Sequence, residues 1–152
     1  MIDIHNYDLK YAQAEAQVHQ SDITPRNKQL ILAYRDACLL QQVCKKVRLI
    51  RVFGVLLLFA RHLGKDFDRV TKEDLQATLG KLVARQPPYS AETLGTYKAI
   101  IKRFLTYVAA PDTFPKAPAP PLVAWITGHV KRNERKRLDR NELLTPADIE
   151  AV

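Results

Sequence analysis

The sequence is poor in the residues that hold small domains together covalently or through a metal. Only two of its 152 residues are cysteine, Cys38 and Cys44, and no histidine lies at metal-ligand spacing from them. Two thiols alone do not complete a zinc site. We therefore expect both cysteines to be free, reduced and partly buried. A disulfide between them is the alternative, and it would require a strict geometry.

Long apolar runs are also missing. The longest extends from Val52 to Ala60, well short of the roughly 20 residues that span a bilayer. The first residues show no basic start followed by the apolar stretch of a secretory signal. The expected location is therefore the cytoplasm, with no membrane partner.

Catalytic motifs are absent as well. The sequence has no glycine-rich phosphate loop, no nucleophile elbow and no histidine pair of the kind that binds zinc on a helix. Its four histidines are scattered along the chain. We therefore expect no catalytic residue, no metal ion and no cofactor in this chain.

Positive charge and apolar residues are what the sequence does have. Lysine and arginine number 24 against 16 acids, giving a formal net charge of +8, and 47% of the residues are apolar. That apolar content is sufficient for one packed domain with appendages. The positive charge favours a polyanionic partner, either nucleic acid or an anionic membrane surface.

Helical periodicity predicts an all-α fold, since no stretch alternates with the period of two that marks a strand. A first helix is expected from Asn6 or Asp8 to about Gln20. Capping residues predict four further helices, over about 25–40, 45–63, 71–84 and 91–108. Thr24, Thr71 and Ser90 mark the starts of the first, third and fourth of these helices, and Gly64 marks the end of the second. A short helix near residues 122–126 follows.

The helix over 45–63 is predicted to be the core helix because its apolar residues surround it almost completely. Its expected inward residues are Leu49, Val52, Phe53, Leu56, Phe59, Ala60 and Leu63. A polar strip of Arg48, Arg51 and His62 runs beside them, with Val55 between. The buried side of the 71–84 helix is expected to be Leu75, Leu79, Leu82 and Val83.

The end of the sequence predicts a linker and the beginning of another unit. Five prolines between 111 and 121 indicate a semi-rigid extended connector. Thr145 and Pro146 start a helix with almost no body, which suggests that the chain was cut just inside another domain; a frayed helix packed on this domain is the alternative. The predicted division is 1–22, a helical bundle at 23–110, a linker at 111–141 and a truncated domain at 142–152.

Several cations are candidate DNA-binding residues because they share helix faces or one basic run. Lys98 and Lys102 lie one turn apart beside Gly95 and Ala99, whose small side chains would let a phosphate backbone approach. The full candidate set is Arg48, Arg51, Lys98, Lys102, Arg103, Lys131, Arg132, Arg135, Lys136 and Arg137. The alternative is that these residues form solvated helix surfaces and a disordered tail.

Four motifs in this order resemble the core-binding domain of tyrosine recombinases, the phage-integrase family. They are GKDFD at 64–68, VTKEDL at 70–75, YSAETL at 89–94 and YKAIIKRFL at 97–105. The basic run before LLT at 143–145 is similar to the linker of archaeal integrase-like members. One departure is QVC at 42–44, where the family usually has a glycine and a helix-capping serine.

The resemblance implies a small SAM-like bundle of four to five helices with an extended basic linker at its carboxyl end. Such a bundle grips double-stranded DNA, and the helices carrying Arg48 and Arg51, and Lys98 and Lys102, would face the major groove. The family's catalytic residues lie downstream of LLT, so this chain would bind DNA without cleaving it. As an isolated fragment it would be monomeric. A helical protein-interaction module and a complete small DNA-binding regulator are the alternative functions.

Overall fold

The computed structural model describes residues 6–127, and this part of the chain is all-α, as predicted. Its six α-helices are α1 (Tyr7–Gln20), α2 (Pro25–Leu40), α3 (Lys46–Leu63), α4 (Lys72–Val83), α5 (Ala91–Ala109) and α6 (Pro121–Ala124). Two short 3₁₀ helices, Phe67–Arg69 and Pro111–Thr113, follow α3 and α5. Over the described range, no helix combines the length and apolar character needed to cross a membrane.

The predicted starts of α2, α4 and α5 are confirmed because their capping hydrogen bonds form. The Thr24 hydroxyl accepts from the Asn27 backbone N–H at 3.2 Å, ahead of Pro25 in the first position of α2. Thr71 and Asp74 form a reciprocal capping box at the start of α4. These bonds satisfy amide groups that have no partner within the helix.

The helix ends show where left-handed backbone is needed. Gly64 ends α3 with φ 71°, as predicted. At the end of α2, Gln42 adopts φ 55°. In the family that the sequence motifs resemble, glycine is usual in this turn. The Val43 N–H donates to the Cys38 carbonyl at 2.9 Å, which completes a Schellman turn despite the missing glycine. Lys45 precedes α3 without a side-chain cap.

Helix α3 lies at the centre of the bundle, in contact with α1, α2, α4 and α5. Six of its seven predicted inward residues are buried and Leu63 is partly buried. Val55, expected within the polar strip, is also buried, because neighbouring helices enclose α3 on more sides than its sequence periodicity indicates. On α4 the expected Val83 is 52% exposed and Thr78 is buried instead.

The proline-rich segment differs most from its prediction as an extended connector. Phe114 packs its ring 5.7 Å from Tyr34 and 5.3 Å from Tyr107, while Val123 and Ile126 are fully buried. Residues 111–127 therefore pack back onto α5 and α2. Their apolar side chains outweigh the extended preference of the prolines, since burying them removes apolar area from water.

A single buried asparagine organises the loop between α3 and α4. The Asn27 side chain is 1% exposed, donates to the Lys65 carbonyl at 3.0 Å and accepts from the Phe67 N–H at 2.8 Å. The Phe67 ring then stacks on Phe59 at 5.6 Å and meets Phe104 edge-on at 4.8 Å. The loop thereby ties α2, α3 and α5 together.

Replacing Asn27 by alanine is expected to lower the free energy of unfolding by about 2 to 4 kcal/mol, because the buried Phe67 N–H and the part-buried Lys65 carbonyl lose their partners. Urea denaturation followed by circular dichroism measures the loss. The control is Gln29→Ala on the same helix, whose exposed side chain contacts Arg26. Equal, small losses in both variants would contradict the role given to Asn27.

The start of α4 is also fixed by charge. The Asp74 carboxylate accepts from the Lys65 ammonium at 2.7 Å and from the Thr71 N–H at 3.0 Å. These bonds, the one from Lys65 first, favour the ionised form and lower the pKa of Asp74 from 3.8 to about 2.

Because folding lowers this pKa, the contribution of Asp74 to stability is present above pH 4 and is lost as the pH falls towards 2. The variant Asp74→Asn should therefore melt below the parent protein at neutral pH, and the gap should close between pH 4 and pH 2. Melting curves across this range measure it. Asp112→Asn, at an exposed position, is the control; a gap independent of pH would rule out the ionic contribution.

Candidate nucleic-acid interface

The first candidate surface, called the α3 face, consists of Arg48, Arg51 and Gly54. Both arginine side chains are exposed, and they lie three residues apart on α3. Among residues 6–127, neither arginine forms an ion pair or a hydrogen bond with another side chain. A guanidinium without a carboxylate partner keeps all its donors available for a phosphate or a base edge.

Gly54 lies at one end of the α3 face, three residues beyond Arg51. It lies in the interior of an 18-residue helix, is exposed, and has no atom within 4 Å of the place where a β-carbon would be. Glycine in a helix interior costs about 1 kcal/mol relative to alanine. No contact within the described residues requires this glycine, so the α3 face is bare where a partner's surface can approach the backbone.

Sequence reasoning missed two further cations at the start of this helix. Lys45 and Lys46 are exposed and are separated from Arg48 only by Val47, and the first turn of α3 contains no acidic residue. Positive charge at a helix amino terminus is unfavourable because the helix dipole is positive there. The lysine pair beside Arg48 was the signal in the sequence.

The second candidate surface is on α5 and is more enclosed than predicted. The Lys102 ammonium donates to the Ile126 carbonyl at 2.9 Å, and the side chain is half-buried. The returning segment 114–127 covers part of the side that was expected to face DNA. The spacing on α5 does not show this bond, because the partner of Lys102 lies 24 residues further along the chain.

Arg103 remains exposed and lies near the end of α2. Burial and, second, the neighbouring Cys44 together raise the pKa of the Cys38 thiol to about 12. The positive charge of Arg103 acts in the opposite direction on Cys38. Both cysteines are free and buried, as predicted, and Cys38 is protonated at neutral pH. No group of residues within 6–127 is suited to hold a metal ion.

The predicted site residues therefore fall into separate groups. Lys102 and Arg103 line one cavity, while Lys98 is half-buried and does not line it. Within the described residues no hydrogen bond or ion pair joins this group to the α3 face. The remaining candidates, Lys131, Arg132, Arg135, Lys136 and Arg137, lie outside the described residues.

Several other cations have structural partners among the described residues, which distinguishes them from Arg48 and Arg51. Arg35 pairs with Glu15 at 2.7 Å, and Arg26 pairs with Asp68 at 3.0 Å. Arg85 lies 4.0 Å from the centre of the Tyr89 ring. Charge alone, as read from the sequence, does not separate these residues from Arg48 and Arg51.

Comparison with family models, with curated proteins and with solved structures finds no match to this chain. The resemblance to tyrosine recombinases therefore stays a prediction from the sequence motifs. The candidate interface depends on the positions and contacts of its own residues.

The hydrogen bond from Lys102 to Ile126 can be tested by fluorescence, because the neighbouring Trp125 is the only tryptophan in the chain. The change Lys102→Met leaves the Ile126 carbonyl without its donor. We expect the segment after α6 to loosen, so that Trp125 emission moves to longer wavelength and acrylamide quenches it more strongly. Lys98→Met, one turn earlier, is the control. Identical emission and quenching in both variants would contradict this role of Lys102.

Proposed function

We propose that this chain is a DNA-binding domain that contacts the duplex through the α3 face. The observation that carries the proposal is the pair of exposed arginines, Arg48 and Arg51, which have no ion-pair or hydrogen-bond partner among the described residues and lie beside the open Gly54. The net charge of +8 supports it, since a chain this basic attracts polyanions.

The start of α3 supports the same proposal. Lys45, Lys46 and Arg48 concentrate positive charge where the helix dipole makes it unfavourable. A bound phosphate would offset this repulsion and would meet the free amide groups of the first turn. Lys46 has an internal partner, because its ammonium lies 5.4 Å from the centre of the Tyr11 ring. Among the described residues Lys45 and Arg48 have no such contact, so binding to an anion would explain their charge at this position.

Within this proposal, the sequence motifs favour the core-binding half of a tyrosine recombinase. Phosphate contacts would position the domain without specifying sequence, and Arg48 or Arg51 could read guanine in the major groove. Strand breakage through a phosphotyrosyl intermediate would belong to the residues of a catalytic domain. This chain would hold the DNA for that domain.

The test is fluorescence anisotropy with a labelled duplex at several salt concentrations. The parent protein should bind, and its affinity should fall steeply with salt because phosphate contacts release counterions. The double variant Arg48→Gln/Arg51→Gln should bind more weakly, and its log–log salt slope should fall by about 2 if each arginine contacts one phosphate. The matched control Arg69→Gln/Lys116→Gln removes the same charge from exposed positions elsewhere.

Three outcomes are distinguishable. Equal weakening in the two double variants would mean that only net charge matters, not the α3 face. Binding that is indifferent to salt, or no binding at low salt, would contradict the proposal. A loss confined to Arg48→Gln/Arg51→Gln, with unchanged melting temperature, would support it.

A helical protein-interaction module is the second candidate, and one observation favours it. Leu40 is 80% exposed and Val47 is 47% exposed, so the end of α2 and the first turn of α3 present apolar side chains to solvent. Exposed apolar groups of this kind are found at protein interfaces. In that case the arginine variant would leave partner binding intact and Leu40→Ser would weaken it.

A further inference from the structure

A cavity of about 410 Å³ lies between α5 and the returning proline-rich segment. Lys102, Arg103 and Thr106 line its α5 side, and Phe114, Pro115 and Ile126 contribute to the opposite side. Its volume is within the range of about 300 to 1,000 Å³ that is typical of small-molecule sites. The cavity exists because the segment packs back onto α5 without filling the space.

Small side chains keep this cavity open. Ala99 on α5, Ala117 and Ala119 in the segment, and Ala124 on α6 all line it. Each ends at its β-carbon, so none can extend into the space between the two walls. The apolar surface that remains suits a flat or compact hydrocarbon group, which would gain by leaving water.

The charged groups of the cavity are both cationic, and two threonines, Thr106 and Thr127, add neutral hydroxyl groups. No acidic residue lines it among residues 6–127. Lys102 uses one N–H for the Ile126 carbonyl and retains two others, while Arg103 has no side-chain acceptor among the described residues. An anionic group near them would accept charge-assisted hydrogen bonds, which are stronger than neutral ones.

We infer that this cavity binds a small organic anion, with a carboxylate, sulfonate or phosphate group near Lys102 and Arg103 and an apolar body against Phe114, Pro115 and Ile126. The combination of apolar walls and two cations selects against an inorganic ion, which would leave the apolar surface uncovered. Such a ligand would bridge α5 and the proline-rich segment. Its binding would therefore raise the melting temperature with increasing ligand concentration.

Two fluorescent probes test this inference on the full chain without DNA. Anilinonaphthalene sulfonate carries an anionic group on aromatic rings, and phenylnaphthylamine has the same rings without the charge. We expect the sulfonate to bind at one site and to shift the amide NMR signals of Ala99, Arg103 and Thr106. The affinity of the neutral compound should be lower by at least about tenfold, because it lacks the charge-assisted bonds. Inorganic phosphate alone should shift these signals only weakly.

Variants locate the site. Arg103→Gln should weaken the sulfonate about tenfold, and Ala124→Phe should abolish binding by filling the cavity from an exposed position on α6. Ala99→Leu is a second filling variant, for the case in which Ala124→Phe lowers the melting temperature. Lys98→Gln, on the same helix but outside the cavity, is the matched control and should bind like the parent.

Several results would overturn the inference. Unchanged binding in Arg103→Gln and both filling variants would place the probe elsewhere, for instance on the exposed leucines at the α2–α3 turn. Equal affinity for the neutral probe would exclude an anion site. Displacement by duplex DNA would assign the cavity to the DNA-binding surface instead. The proposed function does not depend on any of these results, since it concerns Arg48 and Arg51.

Discussion

The rest of the bundle depends on the two hydrogen bonds that the buried Asn27 side chain makes to the loop after α3. They fix the backbone at Lys65 and Phe67 and so insert the Phe67 ring between Phe59 and Phe104. A buried amide without these partners would be costly, whereas with both it selects one loop conformation. This loop conformation helps to set how α2, α3 and α5 pack together, because Asn27 lies on α2 while Phe67 contacts α3 and α5.

Features that depend on neighbouring residues could be predicted from the sequence. Thr24, Thr71 and Ser90 cap their helices, and Gly64 ends α3, because a cap needs only the backbone of the next few residues. The all-α class and the central position of α3 also follow from local periodicity. The bond network of Asn27 could not be predicted in this way, since its partners are about 40 residues away and asparagine is usually exposed.

The candidate site shows the same division between local and long-range information. The sequence places Lys102 on the polar side of α5, and this is correct as a statement about the helix. Its actual environment is set by Ile126 and Phe114, which return along a segment whose prolines predict extension. One lysine is therefore engaged in holding α6, although its type and spacing match those of a phosphate-binding residue. A charge pattern identifies candidates, and only tertiary contacts separate engaged cations from free ones.

Once the engaged cations are set aside, the residues of the α3 face are the ones that contacts within the described part of the chain explain least. Gly54 weakens a helix that otherwise supplies much of the core, and no neighbour within the described residues fills the space it leaves. Lys45, Lys46 and Arg48 oppose the dipole of the same helix, whose first turn contains no acidic residue to compensate. Both features lower the stability of the domain alone, and both become favourable beside a large polyanion that reaches the helix backbone. Two independent costs at one surface favour a binding role more strongly than net charge does.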